Sequence, residues 1–213
     1  MGIRVRNLGQ LLVGLAAMAP GIVALKRSGL GLGPWDVLHD GLARHTGVDL
    51  GTIGILVGIP IVVLWWPLRE RPGIGTIANL VLIGTFIHLL LPHTHQAHGP
   101  VVRVALMIGG IAAFAVGQGM YIAAGLGAGP RDGLMTGLHR RLGWSIRLAR
   151  TSIELTALVI GLTLGGSFGV GTFAFALGIG PMVQVTLRWF GFPLRGVPEL
   201  GQDAAAALGL SGE

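Results

Sequence analysis

Apolar residues in this chain fall in long runs rather than in the stripes of an amphipathic surface helix. About 20 mostly apolar residues are needed to cross roughly 30 Å of hydrocarbon. Six runs approach that length, at about 8–25, 50–66, 74–91, 101–123, 147–165 and 169–190. Between them lie two shorter segments that start with proline and carry an acid in their first turn. They run from Pro34 to Arg44 and from Pro130 to Arg141. Proline and an early acid are helix-start signals. At 1.5 Å per residue such a segment reaches only about 18 Å, so each is expected to be re-entrant or to lie in the interface.

The pattern repeats at a spacing of 96 residues. Gly29-Leu30-Gly31-Leu32-Gly33-Pro34-Trp35-Asp36-Val37-Leu38 returns as Gly125-Leu126-Gly127-Ala128-Gly129-Pro130-Arg131-Asp132-Gly133-Leu134, and Gly73-Ile74-Gly75-Thr76 as Gly169-Val170-Gly171-Thr172. From 29 to 47, 11 of 19 positions match. A repeat of this kind sets the whole fold. The units are residues 1–98 and 99–195, followed by a polar tail, 196–213, expected to be disordered. Each half holds three spans, so the second copy enters the bilayer from the opposite side. The expected fold is all-α: a polytopic membrane protein of six transmembrane helices in two inverted three-span repeats.

Composition supports this reading. Hydrophobic residues make up 52% and charged residues 11%, against about 25% charge in soluble chains. The net charge of +6 would suit a nucleic-acid binder, but its placement does not. With a cytoplasmic N-terminus, 11 of the Lys and Arg fall on inside segments and 4, Lys26, Arg27, Arg44 and Arg103, outside. That is the positive-inside rule. It predicts a multi-pass protein of the bacterial cytoplasmic membrane with both termini inside, whose surroundings are lipid and not nucleic acid. The first run resembles a signal peptide, but it aligns with 104–121, so it is expected to be kept as a span. Cysteine is absent.

Candidate chemistry gathers at the two glycine-rich breaks. Non-helical backbone at membrane depth is tolerated where protein buries it or water reaches it, and paired breaks point to a transporter's site. Gly31, Gly33, Pro34 and Asp36, with Gly127, Gly129, Pro130 and Asp132, are the candidate substrate-binding residues. The aspartates either cap their own helices or form a symmetric pair for a cation, a proton or an amine. If both are ionised, they favour cationic substrates over anionic ones. Glu154 either pairs with Arg150 or lines the cavity. Asn79 joins the set, although it, Gln118 and Gln184 also suit hydrogen bonding between helices. His88, His93, His95 and His98 match no closed metal site, and no nearby acid or cysteine completes one. No catalytic motif, metal site or cofactor loop is present: the glycine-rich segments lack a βαβ unit, and no enzyme is expected. Small-xxx-small spacing at Gly54-Gly58, Gly161-Gly165 and Gly129-Gly133-Gly137 suits close packing within the chain and leaves a homodimer open.

Gly29 to Leu38, followed by Pro72-Gly73-Ile74-Gly75-Thr76-Ile77-Ala78-Asn79, resembles the YczE/YyaS-type bacterial membrane proteins, loosely grouped with the YitT family. The likeness covers nearly all of residues 8–190. Arg131 stands where the motif has Trp, and no proline precedes Gly169. The resemblance implies a membrane fold and says little of substrate. Two functions stay open: a small-molecule transporter with its site between the breaks, or a non-transporting accessory protein of a biosynthetic or export complex.

Overall fold

The computed structural model describes residues 5–190, without the side chains of Ile146 and Arg147. Arg4, Arg195 and the tail 196–213 therefore lie outside the described residues. The helices are α1 (Val5–Ser28), α2 (Pro34–Thr46), α3 (Leu50–Val63), the single turn α4 (Trp65–Leu68), α5 (Ile74–Leu90), α6 (Pro100–Ala123), α7 (Pro130–Leu142), α8 (Ile146–Thr163) and α9 (Val170–Trp189). A 3₁₀ turn, Leu91–His93, extends α5. No strand is present among the described residues.

Helix starts recur at the sequence spacing: Pro34 and Pro130, Leu50 and Ile146, Ile74 and Val170. The starts share their chemistry. Asp49 caps α3 by accepting from the Thr52 N–H, and Ser145 caps α8 by accepting from the Leu148 N–H. Thr76 and Thr172 each accept from the N–H of the glycine that opens their helix, Gly73 and Gly169. These contacts satisfy donors that a helix start leaves free.

At the centre α1 and α6 pack antiparallel with almost no side chain between them. A Cβ on Gly14 would lie 2.8 Å from the Gly117 carbonyl oxygen, and one on Gly21 2.7 Å from that of Gly110. Rising numbers on α1 meet falling numbers on α6. Small residues are what allow helix backbones to approach this closely. Leu11, Leu15 and Leu25 of α1 and Val183 and Leu187 of α9 are fully buried around this pair.

The breaks are pinned crosswise. The Gly75 N–H donates to the Leu126 carbonyl at 2.8 Å, and the Gly171 N–H to the Leu30 carbonyl at 2.7 Å. Thus the start of α5 holds the second break, and the start of α9 holds the first. Gly31 and Gly127 take φ of +119° and +131°, conformations that side chains resist.

The halves differ in their outer helices. α3 packs on α5, where Gly51 and Gly84 bring the backbones together. α8 packs instead on α2, where Gly161 meets the Leu38 backbone and Gly41 meets the Gly161 carbonyl. Ninety-six residues on from Gly51 stands Arg147, so glycine faces glycine in only one half.

Five stretches are long and apolar enough to cross a membrane: Val5–Ser28, Leu50–Leu68, Ile74–His93, Pro100–Ala123 and Val170–Trp189. The sixth expected span, α8, is 18 residues long and carries Arg147, Arg150 and Glu154. Its charges, not its length, set it apart. Large apolar side chains cover the outside, with Trp66 87% and Leu177 78% exposed. Such a surface suits lipid rather than water.

Candidate functional site

The first turns of α2 and α7 line one cleft together with α1, α3, α5 and α6. It is open and measures about 840 Å³, the solvent at its mouth included. Asp36 and His39 reach it from α2, and Gly129, Pro130, Arg131 and Asp132 from the start of α7. Asn79 enters from α5, and Gln118 and Tyr121 from α6. Met18, Ile22, Leu50, Ile83, Ile87 and Phe114 make an apolar wall. Clefts that are mostly apolar with a few converging polar groups are the usual form of small-molecule sites.

Each polar group has a traceable position. Trp65 is buried and its indole N–H donates to the Pro130 carbonyl at 2.9 Å, which fixes the entry of α7. A Cβ on Gly129 would meet an Asp132 carboxylate oxygen at 3.0 Å, the Tyr121 hydroxyl at 3.2 Å and the Asn79 amide nitrogen at 3.6 Å. The absence of that Cβ lets the three converge. Asp132 lies 3.9 Å from its neighbour Arg131. Asp36 lies 3.7 Å from His39 Nδ1, and Trp35 tilts over the same histidine with ring centroids 6.3 Å apart. The N-caps of both short helices are the glycines, without a side-chain cap hydrogen bond.

Gln118 and Tyr121 are 4% and 2% exposed. The Gln118 carbonyl oxygen and the Trp35 indole N–H are buried atoms without a partner among the described residues, and the buried Tyr121 hydroxyl has only the Gly129 backbone beside it. A buried polar group without a partner costs roughly 1–3 kcal/mol, and two in one cleft mark where a ligand's polar atoms would be satisfied.

The sequence candidates separate into two groups. Asp36, Asp132, Asn79, Gly129 and Pro130 line the cleft. Gly31, Gly33, Pro34 and Gly127 are not part of its lining. A Cβ on Gly31 would strike Gly169 and Thr172, one on Gly127 Gly73 and Thr76, and one on Gly33 the Phe175 ring at 2.9 Å; Pro34 is buried. These glycines serve chain crossing rather than open space. Glu154 takes both of its expected positions. It pairs with Arg150 at 3.2 Å and lines a smaller pocket that shares Trp35, Gln118, Arg131 and Asp132 with the main cleft. Arg131, His39, Tyr121 and the cleft-side role of Gln118 were not among the sequence candidates. The signal for them is mismatch across the repeat: Arg131 against Trp35, His39 against Met135, Gln118 against Ile22, and Tyr121 against Leu25.

Two further polar groups sit away from the cleft. Asp40 is 2% exposed. It bonds Lys26, Arg44 at 3.1 Å, and the Ser167 N–H and hydroxyl at 2.8 and 2.6 Å. Burial pushes its carboxyl up, but hydrogen bonds from Lys26 and Ser167 and the Lys26 charge outweigh that and hold it below the ordinary aspartate value. His88 meets Asp49 at 3.0 Å, an acid beside the histidines that their sequence spacing did not suggest. Among the described residues no three His, Asp or Glu side chains converge as a metal site.

Residues 5–188 match the model of a family of unknown function, DUF6198. An uncharacterized protein of Haemophilus influenzae is 35% identical over 183 residues, 86% of this chain and 84% of that protein. The uncharacterized membrane protein YczE of Bacillus subtilis is 35% identical over 180 residues, 82% of each chain. The uncharacterized protein YyaS of the same organism is 23% identical over 164 residues. The chain belongs to this family. It is an integral membrane protein of the YczE type, as the motif around Gly29–Leu38 implied. No solved structure matches it.

Proposed function

We propose that the chain is a small-molecule transporter of the bacterial cytoplasmic membrane, a carrier rather than an enzyme, with its substrate site in the cleft between α2 and α7. The observation that carries this reading is the pair of buried, unpartnered polar atoms on Gln118 and Trp35 in the cleft where both short helices begin. The elements of a carrier are consistent with it. Three pairs of helix starts are 96 residues apart and the equivalent helices α1 and α6 run antiparallel. That is the relation expected of inverted repeats rocking about a central site. Six spans with both termini inside follow if α8 crosses with its Arg150–Glu154 pair turned toward the protein.

Purified protein screened for thermal stabilisation against fractionated bacterial metabolites identifies ligands, and proteoliposomes then read their flux. Asp36→Asn and Asp132→Asn, made singly, are expected to lose flux while the protein still folds. Undiminished flux in both variants overturns the site. A ligand that stabilises without crossing the membrane favours the accessory role instead.

A further inference from the structure

The cleft's lining specifies a ligand as well as a place. Its charged groups are Asp36, Asp132 and Arg131, with His39 beside them. Arg131 stands next to Asp132, whereas the neighbour of Asp36 is an imidazole. Two carboxyl groups thus face one guanidinium, and Asp36 is the acid without a guanidinium beside it. Desolvated walls make such an imbalance matter more than it would in water.

The Trp35 indole and the Asp36 carboxylate both reach His39, with ring centroids 6.3 Å apart and the carboxylate 3.7 Å from Nδ1, so a carboxylate and an indole flank one place in the cleft where an ammonium can meet both, as in a cation–π contact. On α6 the Gln118 carbonyl oxygen is an acceptor without a donor. The Trp35 N–H is a donor without an acceptor, and the Tyr121 hydroxyl can serve as either. The remaining wall, from Met18 and Ile22 to Ile83 and Ile87, is apolar. A bare metal ion would find no set of three His, Asp or Glu ligands among the described residues.

From this juxtaposition we propose that the cleft binds an amphiphilic organic monocation: an ammonium for Asp36 and the Gln118 oxygen, an oxygen acceptor for the Trp35 N–H, and an apolar group for the aliphatic wall. The inference rests on reading the cleft as the transporter's substrate site, and it adds the substrate class.

Four molecules of similar shape test it: phenylalaninol with an ammonium, 3-phenyllactate with a carboxylate, 3-phenylpropane-1,2-diol with no charge, and the zwitterion phenylalanine. Titration calorimetry at pH 7 on the full chain in detergent should give saturable binding of phenylalaninol, with the other three at least about tenfold weaker. Asp36→Asn should weaken phenylalaninol by about tenfold or more, and Asn79→Asp, which adds a charge, should tighten it. The Asn79 variant keeps the test open if Asp36→Asn fails to fold. Equal binding of the diol, tighter binding of the carboxylate or zwitterion, no saturable binding of phenylalaninol, or unchanged affinity in a folded Asp36→Asn protein overturns the proposal. Proteoliposomes separate it from the transport reading. Binding of phenylalaninol without protein-dependent flux upholds the ligand class and overturns transport. Flux of 3-phenyllactate but not of phenylalaninol upholds transport and overturns the class.

Discussion

Asn79 and Phe175 hold the same position in the two halves, 96 residues apart, and each faces the glycine that opens the other half's short helix. The Asn79 amide lies 3.6 Å from where a Gly129 Cβ would be, and the Phe175 ring 2.9 Å from that of Gly33. Phe175 is buried and meets Phe114 edge-on, with ring centroids 5.2 Å apart. The first break is therefore sealed by an aromatic ring, and the second is left open to the cleft.

Asn79→Phe should carry the seal over to the second break. The expected result is a folded protein whose ligand-induced thermal stabilisation is lost, with affinity reduced about tenfold or more. Phe175→Asn is expected to do the reverse kind of damage. It leaves a cavity and a buried amide, and should lower stability by about 3–5 kcal/mol in thermal or denaturant unfolding. A cleft that still binds in Asn79→Phe would show that the ligand sits elsewhere.

The repeat made the fold legible. Pro34 and Pro130 start their helices as the sequence reading expects, and the short helices extend to Thr46 and Leu142 because Gly47 and Gly143, both with positive φ, end them. The crosswise packing was not legible. Nothing local in Gly-x-Gly-Thr says that its amide will bond the opposite break, because that contact depends on α1 and α6 crossing at Gly14 and Gly117. The site was half legible for the same reason. As candidate binding residues the glycines suggest room for a ligand, but Gly31 and Gly127 are filled by another chain segment. The polar groups that do face the cleft show as breaks in the repeat, not as part of it. Asp40 also escaped notice, since its partner Ser167 lies 127 residues away.

Glycine substitutions at the breaks should be graded by geometry. Gly127→Ala sets an L residue at φ +131° with its Cβ 3.0 Å from the Gly73 Cα, and should cost about 2–4 kcal/mol. Gly125→Ala has φ +65° and nothing within 4 Å, so only the backbone term of about 1 kcal/mol applies. Thermal unfolding in detergent reads the order. Equal losses at the two positions would contradict crosswise packing of the break.

The central crossing predicts a second contrast. A Cβ on Gly117 would lie 2.5 Å from the Gly14 carbonyl oxygen, whereas one on Gly109 meets nothing within 4 Å. Gly117→Ala should force α1 and α6 apart, with a loss of about 1–3 kcal/mol. Gly109→Ala should stay within about 0.5 kcal/mol of the parent or gain slightly from helix propensity. Comparable stability of the two variants would mean that the backbones do not meet there.

Asp40 gives a pH dependence whose sign is fixed by its environment. Its folded carboxyl titrates below the ordinary value of 3.8, so the folded state favours the charged form. The stability that follows is fully present above that ordinary value and is lost as pH falls through the lower, folded one. The partners seen in the structure, Lys26, Arg44 and Ser167, join the end of α1, the short helix α2 and the turn before α9. Asp40→Asn keeps the shape and removes the charge. Parent and variant should differ most near neutral pH and converge as pH drops below about 3.8, where the parent carboxyl takes up its proton. Melting temperatures of the two proteins across pH 3–7 test this, and a difference that grows on acidification would show that the Lys26–Asp40–Ser167 contacts are not what holds the three segments together.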